Sequence, residues 1–521
     1  MDGRQFTGPV WPAAAEPGDI VSEESCDIVI IGAGIAGCTA AQAASENGAS
    51  VICCEKFGTF SAHGIDIGSV GTRVQKAAGV EIDKALAARL IYEWGQQQAN
   101  YHLIRTYVEK SGEVLDRYID MAERDYGMTV TLNDDMTARA DWNTLEDKYK
   151  QFQTAHLFHR TEGSPIRPSK WNAAFFVEMV CDSAKKNGAL FRFNTTAQQL
   201  VKSGNTVTGV LVRDKDGLKK INARKGVILA TGGISDNREM IRAWCPAALR
   251  ADKFENFPVG SNMGDGLVMG VMAGAAVSRC YPAPIIHPVN FSVLSPGMNT
   301  SWLTVNRDGR RFSSEMAYEP AVTNARLNAP GNVAWAIWDD DYREHIKKQE
   351  PRKAQKLLEN IDEGMARALE SGEYIRCDSL EALATQIGVP ADNLKATVDR
   401  YNGWCAKGED GDFGVPPRFL SPVKKAPFYA CKISAYLLSL PHGLHVDQNS
   451  QVLTEDDEPI GNLFAVGNVQ GDFFANSYPV TLPGTSHGRS ITFGYLVGRA
   501  LALGKTISEE CSWDTWNTSA S

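Results

Sequence analysis

At 521 residues the chain exceeds one ordinary core, so two domains, or one with a large insert, are expected. It carries 53 basic against 62 acidic residues, a net charge of −9, with no Lys/Arg block or basic helix face, which excludes a nucleic-acid surface. Its 11 cysteines are odd in number, scattered and free of any CxxC pair; this excludes a disulfide framework, a zinc ribbon and covalent haem, and fits reduced thiols in a metal-free cytoplasmic protein.

Residues 1–24 are polar and rich in Pro, Ala and Glu. Without a basic n-region, an apolar h-region or a twin arginine they read as an N-terminal extension, not an export signal. From Cys26 an apolar strand runs into Gly32-x-Gly34-x-x-Gly37, then a small-residue helix, then a second strand, Ser50 to Cys54, ending in Glu55. Gly32 makes the tight turn, Gly34 lets a pyrophosphate approach the backbone, and Gly37 lets the helix pack on the strand. The helix N-terminus offers free N–H groups, and Glu55 stands where a carboxylate accepts from a ribose diol. The order of these pieces predicts dinucleotide binding. The apolar run Ile28 to Ala44 contains the glycines and is too short for a membrane span.

Further along, apolar spacing predicts helices at 87–101, 104–124 and 171–187. Strands are expected at 189–194, 206–213, 219–223 and 226–230, the middle pair forming a hairpin around Asp216-Gly217. The last of these runs into Thr231-Gly232-Gly233, and Gly264-Asp265-Gly266 opens a helix to Gly274. From about Tyr281 prolines break the chain. Helices are expected at 351–371, 379–387 and 391–407, then a Gly/Pro-rich loop to Pro427. Strands return at 436–441 and 461–467, and a last helix spans 485–503, before a polar tail at 507–521. The expected domains are a nucleotide domain at 25–287 and 428–506, interrupted by an insert at 288–427.

Several motifs together resemble the superfamily of fumarate reductase flavoproteins and 3-ketosteroid dehydrogenases. They are the fingerprint, Ile228-Leu-Ala-Thr-Gly-Gly233, Gly264-Asp-Gly266, Ile286-His-Pro288, and Val305-Asn-Arg-Asp-Gly-Arg-Arg-Phe312 with Glu315. Further along come Thr397-Val-Asp-Arg-Tyr-Asn402, Leu463-Phe-Ala-Val-Gly-Asn468 and Ile491-Thr-Phe-Gly494. The resemblance spans about residues 25 to 505. It implies an α/β protein: a Rossmann-like FAD-binding domain with an inserted α+β capping domain. It further implies FAD, here expected to be non-covalent because Ser61-Ala-His63-Gly does not look like an attachment motif. Cofactor contacts are expected from Gly32, Ala33, Gly34, Ala36, Gly37, Glu55, Lys56, Ala197, Thr231, Gly232, Asp265, Asn468, Thr485, Ser486, Ser490 and Ile491. The family's reaction is hydride transfer between flavin and a carbon beside an activating group, with a proton moved at the neighbouring carbon.

The chain departs from fumarate reductases. Counting from the motifs puts Glu319 and Thr481 where those enzymes carry substrate arginines, and Ser439 where they carry a histidine; only His287 survives. Tyr318 and Tyr478-Pro479 resemble the tyrosines of the ketosteroid enzymes, with shifted spacing. The loop Gly471 to Arg489 looks more like reductases of anaerobic gut bacteria in this superfamily. Tyr478, Tyr318, His287, Gly484 and Arg489 are the expected catalytic set, a phenol being a good neutral donor to a carbonyl. Phe473, Phe474, Trp302 and Tyr281 are candidate pocket walls. The expectation is an FAD-dependent ene-reductase for a small unsaturated substrate larger and more apolar than fumarate. Electrons would come from an external donor, a nicotinamide or a redox partner protein. The alternatives are a ketosteroid-type dehydrogenase running the reverse desaturation, and a non-catalytic electron-transfer flavoprotein subunit.

Overall fold

The computed structural model describes residues 20–133, 152–254, 258–287, 300–315, 319–349 and 354–511. They form two compact units. The first is formed by the described residues of Met1–Cys245, Asn256–Pro284 and Ser439–Ser521, the second by those of Pro246–Glu255 and Ile285–Leu438.

The first unit is built on a mixed sheet whose centre is parallel. Strand Ile20–Ile31 pairs in parallel with Val51–Cys54 on one side and with Gly217–Leu229 on the other. Beyond these lie Leu190–Arg192 and Pro459–Ala465, also parallel to their neighbours. The residues Ile28 to Ile31 are buried on both faces, as a central parallel strand requires. Helix Ile35–Glu46 follows; Ala36, Ala40, Ala41, Ala43 and Ala44 are all buried. Helix Thr485–Leu503 lies against it so closely that a Cβ on Gly494 would come 2.6 Å from Ala36 O, and one on Gly498 would come 2.4 Å from Ala40 O. Helix Tyr101–Asp125 and helix Asn172–Lys186 complete the helical layers.

In this unit three expectations are corrected. The strands expected at 219–223 and 226–230 are one strand, Gly217–Leu229. Its first half pairs antiparallel with Thr206–Asp214 and its end pairs with Pro459–Ala465. The charged pair Arg224-Lys225 sits at a register shift opposite Asp27, so a bulge rather than a turn absorbs it. The first strand begins at Ile20 and pairs from there with Leu218, so residues 20–24 belong to the sheet rather than to an extension. The helix expected at 87–101 ends at Trp94, because Gln96 and Gln97 take positive φ.

The second unit holds a four-stranded antiparallel sheet in the order Leu303–Asn306, Ala334–Asp339, Phe428–Lys432, Tyr374–Cys377. Phe428–Lys432 lies inside that sheet, so this unit runs to Leu438 and not to the expected boundary at Pro427. Trp302 stacks on Trp338 at 5.7 Å within its core, which makes it a packing residue and not a pocket wall. The helix expected at 351–371 is two helices, Ala354–Glu359 and Ile361–Glu370, and its first residues lie outside those described.

One buried arginine organises this unit. Arg311 makes a two-pronged contact with Glu315, at 2.8 and 2.6 Å, and a second with Asp410, at 2.7 and 2.8 Å. All three side chains are almost fully buried. Burial pushes the Asp410 carboxyl up, but Arg311 and the backbone N–H groups of Val415 and Asp412 outweigh it and hold it at about 2. Arg311→Met strands two carboxylates in the core and should cost about 3–5 kcal/mol. The exposed neighbour control, Arg310→Met, should cost no more than about 0.5 kcal/mol. Urea unfolding followed through the tryptophans of this unit checks the difference; equal losses would refute it.

Candidate active site

The glycine fingerprint has two kinds of glycine. Gly32 has φ +103, and a Cβ there would sit 2.4 Å from Ala230 O. A Cβ on Gly37 would sit 1.9 Å from Gly32 O. Both are demanded by the protein's own packing. Gly34 is different: its backbone is extended, and the nearest atom to an added Cβ is Ser61 O at 3.9 Å. Nothing among the described residues requires a glycine there, whereas a ligand lying on the backbone would. No side chain caps the helix that follows, so its first N–H groups face outward uncapped, as a pyrophosphate needs.

Glu55 shapes the same loop. Its Oε2 accepts from Ala33 N at 2.8 Å and its Oε1 from Phe57 N at 3.0 Å. Each oxygen keeps a second lone pair for a diol. Glu55 O also accepts from Thr195 N, which ties the strand carrying Ala197 to this loop. Lys56 turns away from the fingerprint: its Nζ contacts Asp265 Oδ2 and Gly260 O, both at 2.6 Å. Asp265 opens helix Asp265–Met272, and the N–H of Gly266 donates to Thr231 Oγ1 at 3.1 Å. Gly232 has φ +78, and Asn262 Oδ1 accepts from Gly233 N at 3.0 Å. These residues fit FAD, and the fit rests on Gly34, a glycine that the packing of the described residues does not require.

The second cluster surrounds the start of helix Thr485–Leu503. Gly484 caps it with φ +79, and its carbonyl accepts from Gly68 N at 2.8 Å. No described group takes the Gly484 N–H. Ser486 N donates to the Tyr478 hydroxyl oxygen at 2.9 Å. No described acceptor takes the hydrogen of that hydroxyl. Burial pushes the Tyr478 phenol up to about 12, against the Ser486 N–H and Arg489, so it stays protonated. Its ring lies on Phe474 at 4.8 Å, and Arg489 lies over Phe474 at 4.7 Å and Phe473 at 5.2 Å.

Arg489 is fully buried and pairs with no described carboxylate. It donates to two neutral amide oxygens, Gln470 Oε1 at 3.1 Å and Asn468 Oδ1 at 2.8 Å. Burial lowers its pKa to about 10, still far above neutrality. Asn468 also donates to Ser439 Oγ at 3.1 Å. Thr485, Ser490 and Ile491 are buried along the same helix.

Tyr478, Gly484, Arg489 and Asn468 are thus brought together. His287 ends strand Ile285–His287 of the second unit. Tyr318 lies outside the described residues. Glu319 begins helix Glu319–Asn328. Thr481 is buried with its hydroxyl unpartnered among the described residues. Tyr281 is 69% exposed, so it does not wall a pocket. His442, near Ser439 in sequence, has its Nε2 buried without a described partner and its ring 4.9 Å from Trp244. Burial lowers it to about 4, so it is neutral at physiological pH.

A family model described as an FAD binding domain matches residues 27–480. The chain belongs to this family. FAD is its cofactor. A probable fumarate reductase of Shewanella frigidimarina is 27% identical over 91% of this chain and 74% of its own. A vinyl phenol reductase of Lactiplantibacillus plantarum is 25% identical over 93% of this chain and 97% of its own. Against other relatives the chain spans only 49% or 61% of their length. Among solved structures, a 3-ketosteroid-Δ4-(5α)-dehydrogenase from Rhodococcus jostii RHA1 shares the fold. Its TM-score is 0.73 at 23% identity, covering 95% of this chain and all of that one.

The two kinds of glycine can be separated. Gly34→Ala should fold normally by circular dichroism and lose flavin absorbance relative to protein. Gly37→Ala should lose both, because it drives a methyl into Gly32 O. Full flavin retention in purified Gly34→Ala would remove the argument for a ligand over that backbone.

Proposed function

We propose that this FAD-dependent oxidoreductase, which acts on CH–CH groups, reduces a C=C conjugated to a carbonyl or carboxyl. Its substrate is larger and more apolar than fumarate. One observation supports this above the others: the Ser486 N–H donates to the Tyr478 oxygen, which leaves the phenol's own hydrogen to give. A substrate oxygen then receives the Tyr478 O–H and, beside it, the Gly484 N–H. FAD, when bound, supplies the two-electron chemistry at the β-carbon. As negative charge grows on the substrate oxygen, these donors strengthen. The uncompensated Arg489 cation and the helix N-terminus favour the same charge. The Tyr478 hydrogen stays engaged on that oxygen, so the proton for the α-carbon comes from solvent. A distinct external donor, a nicotinamide or a redox partner, reloads the cofactor, since the sequence carries one dinucleotide fingerprint.

Thr481 supports the choice of substrate. It is a buried neutral side chain at the position where fumarate-reducing relatives in this superfamily are expected to hold an arginine. The near full-length match to a reductase named for a vinyl phenol supports an apolar substrate in the same way. Reduced enzyme mixed anaerobically with a panel of enones, enoates and fumarate should reoxidise slowest with fumarate. Fumarate matching the best substrate would defeat the substrate class.

Tyr478→Phe should keep fold and FAD and weaken binding by about 0.5–1.5 kcal/mol. Turnover should fall on the order of 10²-fold or more. Stopped-flow reoxidation with the best substrate reads both; unchanged turnover would make this tyrosine a packing residue.

A further inference from the structure

The loop that carries Tyr478 begins at Gly471, whose N–H donates to Leu444 O at 2.9 Å. Asp472 follows with φ 61 and is 5% exposed. Every polar group it has is used. Ser278 Oγ donates to Oδ1 at 2.7 Å, and Val446 N donates to Oδ2 at 2.9 Å. Its own N–H donates to Ser278 Oγ, and its carbonyl accepts from Asn100 N at 2.6 Å. His445 Nδ1 lies 2.6 Å from Oδ2. Asp472 therefore ties segments around residues 100, 278 and 445 to the base of this loop. It touches neither Tyr478 nor Gly484.

The other side of His445 is also met by a carboxylate. Its Nε2 lies 2.8 Å from Asp457 Oδ1, and Asp457 pairs with Arg279 at 2.9 Å. With an acid at each ring nitrogen, only the doubly protonated imidazolium donates to both. The charged groups facing it are Asp472, Asp457 and Arg279, with Asp447 further along its own segment.

We infer that His445 and Asp472 form a positioning pair that fixes the 471–484 loop, and with it Tyr478, by a charge-assisted clamp at the loop's base. The inference rests on the reading of Tyr478 only for its effect on turnover. Asp472, helped by Asp457, raises His445 above the ordinary histidine range against burial and Arg279. A raised folded value means the clamp is fully present below that ordinary range. It is lost as pH rises through the raised value. The loop should therefore loosen, and turnover fall, on the alkaline side.

The test is hydrogen exchange of holoenzyme peptides covering 471–484, corrected for intrinsic rates, across neutral to alkaline pH, alongside kcat. Wild type should lose protection there by at least about threefold while the fingerprint peptides 28–44 do not change. His445→Asn supplies an uncharged donor in place of Nδ1 and should flatten both profiles while FAD stays bound. Should that variant lose its flavin, Asp457→Asn serves instead. It removes the exposed acid facing Nε2, together with its pairing to Arg279, and should move the alkaline limb down by about 0.2–0.7 pH units. Loop exchange independent of pH in wild type, or a limb unmoved in both variants, overturns the clamp. If the exchange behaves as expected while Tyr478→Phe turns over normally, the clamp stands and the tyrosine reading falls.

Discussion

The approach of helix Thr485–Leu503 to helix Ile35–Glu46 is the constraint on which the site depends. Gly494 and Gly498 meet the Ala36 and Ala40 carbonyls with no room for a methyl group. Gly488 meets Gly68 O in the same way, at 1.7 Å from an added Cβ. Gly494 and Gly498 on one side of the helix and Gly488 on another thus set where its first turn falls. That first turn supplies the Gly484 and Ser486 N–H groups, and the second supplies Arg489. Interiors this dense transmit small displacements, so the cap of one helix and the fingerprint of the other are fixed as one body.

Two buried arginines show how to tell scaffold from site. Arg311 faces Glu315 and Asp410, and its charge is cancelled where it sits. Arg489 faces two amides and two phenyl rings, and its charge is not. A buried cation without a counter-ion is costly unless something anionic arrives. The first arrangement holds a sheet and its helices together. The second leaves a positive field in place before any charge develops on a bound molecule, which is what preorganised electrostatics means.

Much of this was legible in the sequence because the nucleotide-binding pieces are local. Gly32, Gly34, Gly37 and Glu55 lie within one strand–helix–strand unit, so spacing alone carried their arrangement. The C-terminal helix was equally plain from Thr485 to Leu503. What spacing could not carry was pairing at a distance. Gly217–Leu229 looked like two strands because Arg224-Lys225 interrupts its apolar run, and only Asp27 across the sheet explains the charge. Phe428–Lys432 looked like a return to the nucleotide domain because it is apolar, and apolarity does not say which sheet a strand joins. Glu315 drew notice as part of a family motif; its carboxylate is spent on Arg311. Asp472 was noticed only as part of the loop Gly471 to Arg489, and its pairing with His445, 27 residues away, left no trace in spacing.

The first unit is discontinuous along the chain. Its strands up to Leu229 are made long before the helix that begins at Thr485, with most of the second unit synthesised between them. At about 5–20 residues per second that interval is roughly ten to fifty seconds on the ribosome. During it the small-residue face of helix Ile35–Glu46 has no Gly494 or Gly498 to pack against, and the sheet lacks Pro459–Ala465 along one side. The nascent nucleotide fold must wait, with apolar surface uncovered, for its last helix. Chaperone dependence during synthesis, and sensitivity to truncation near the C-terminus, follow from the order in which the ribosome delivers these segments.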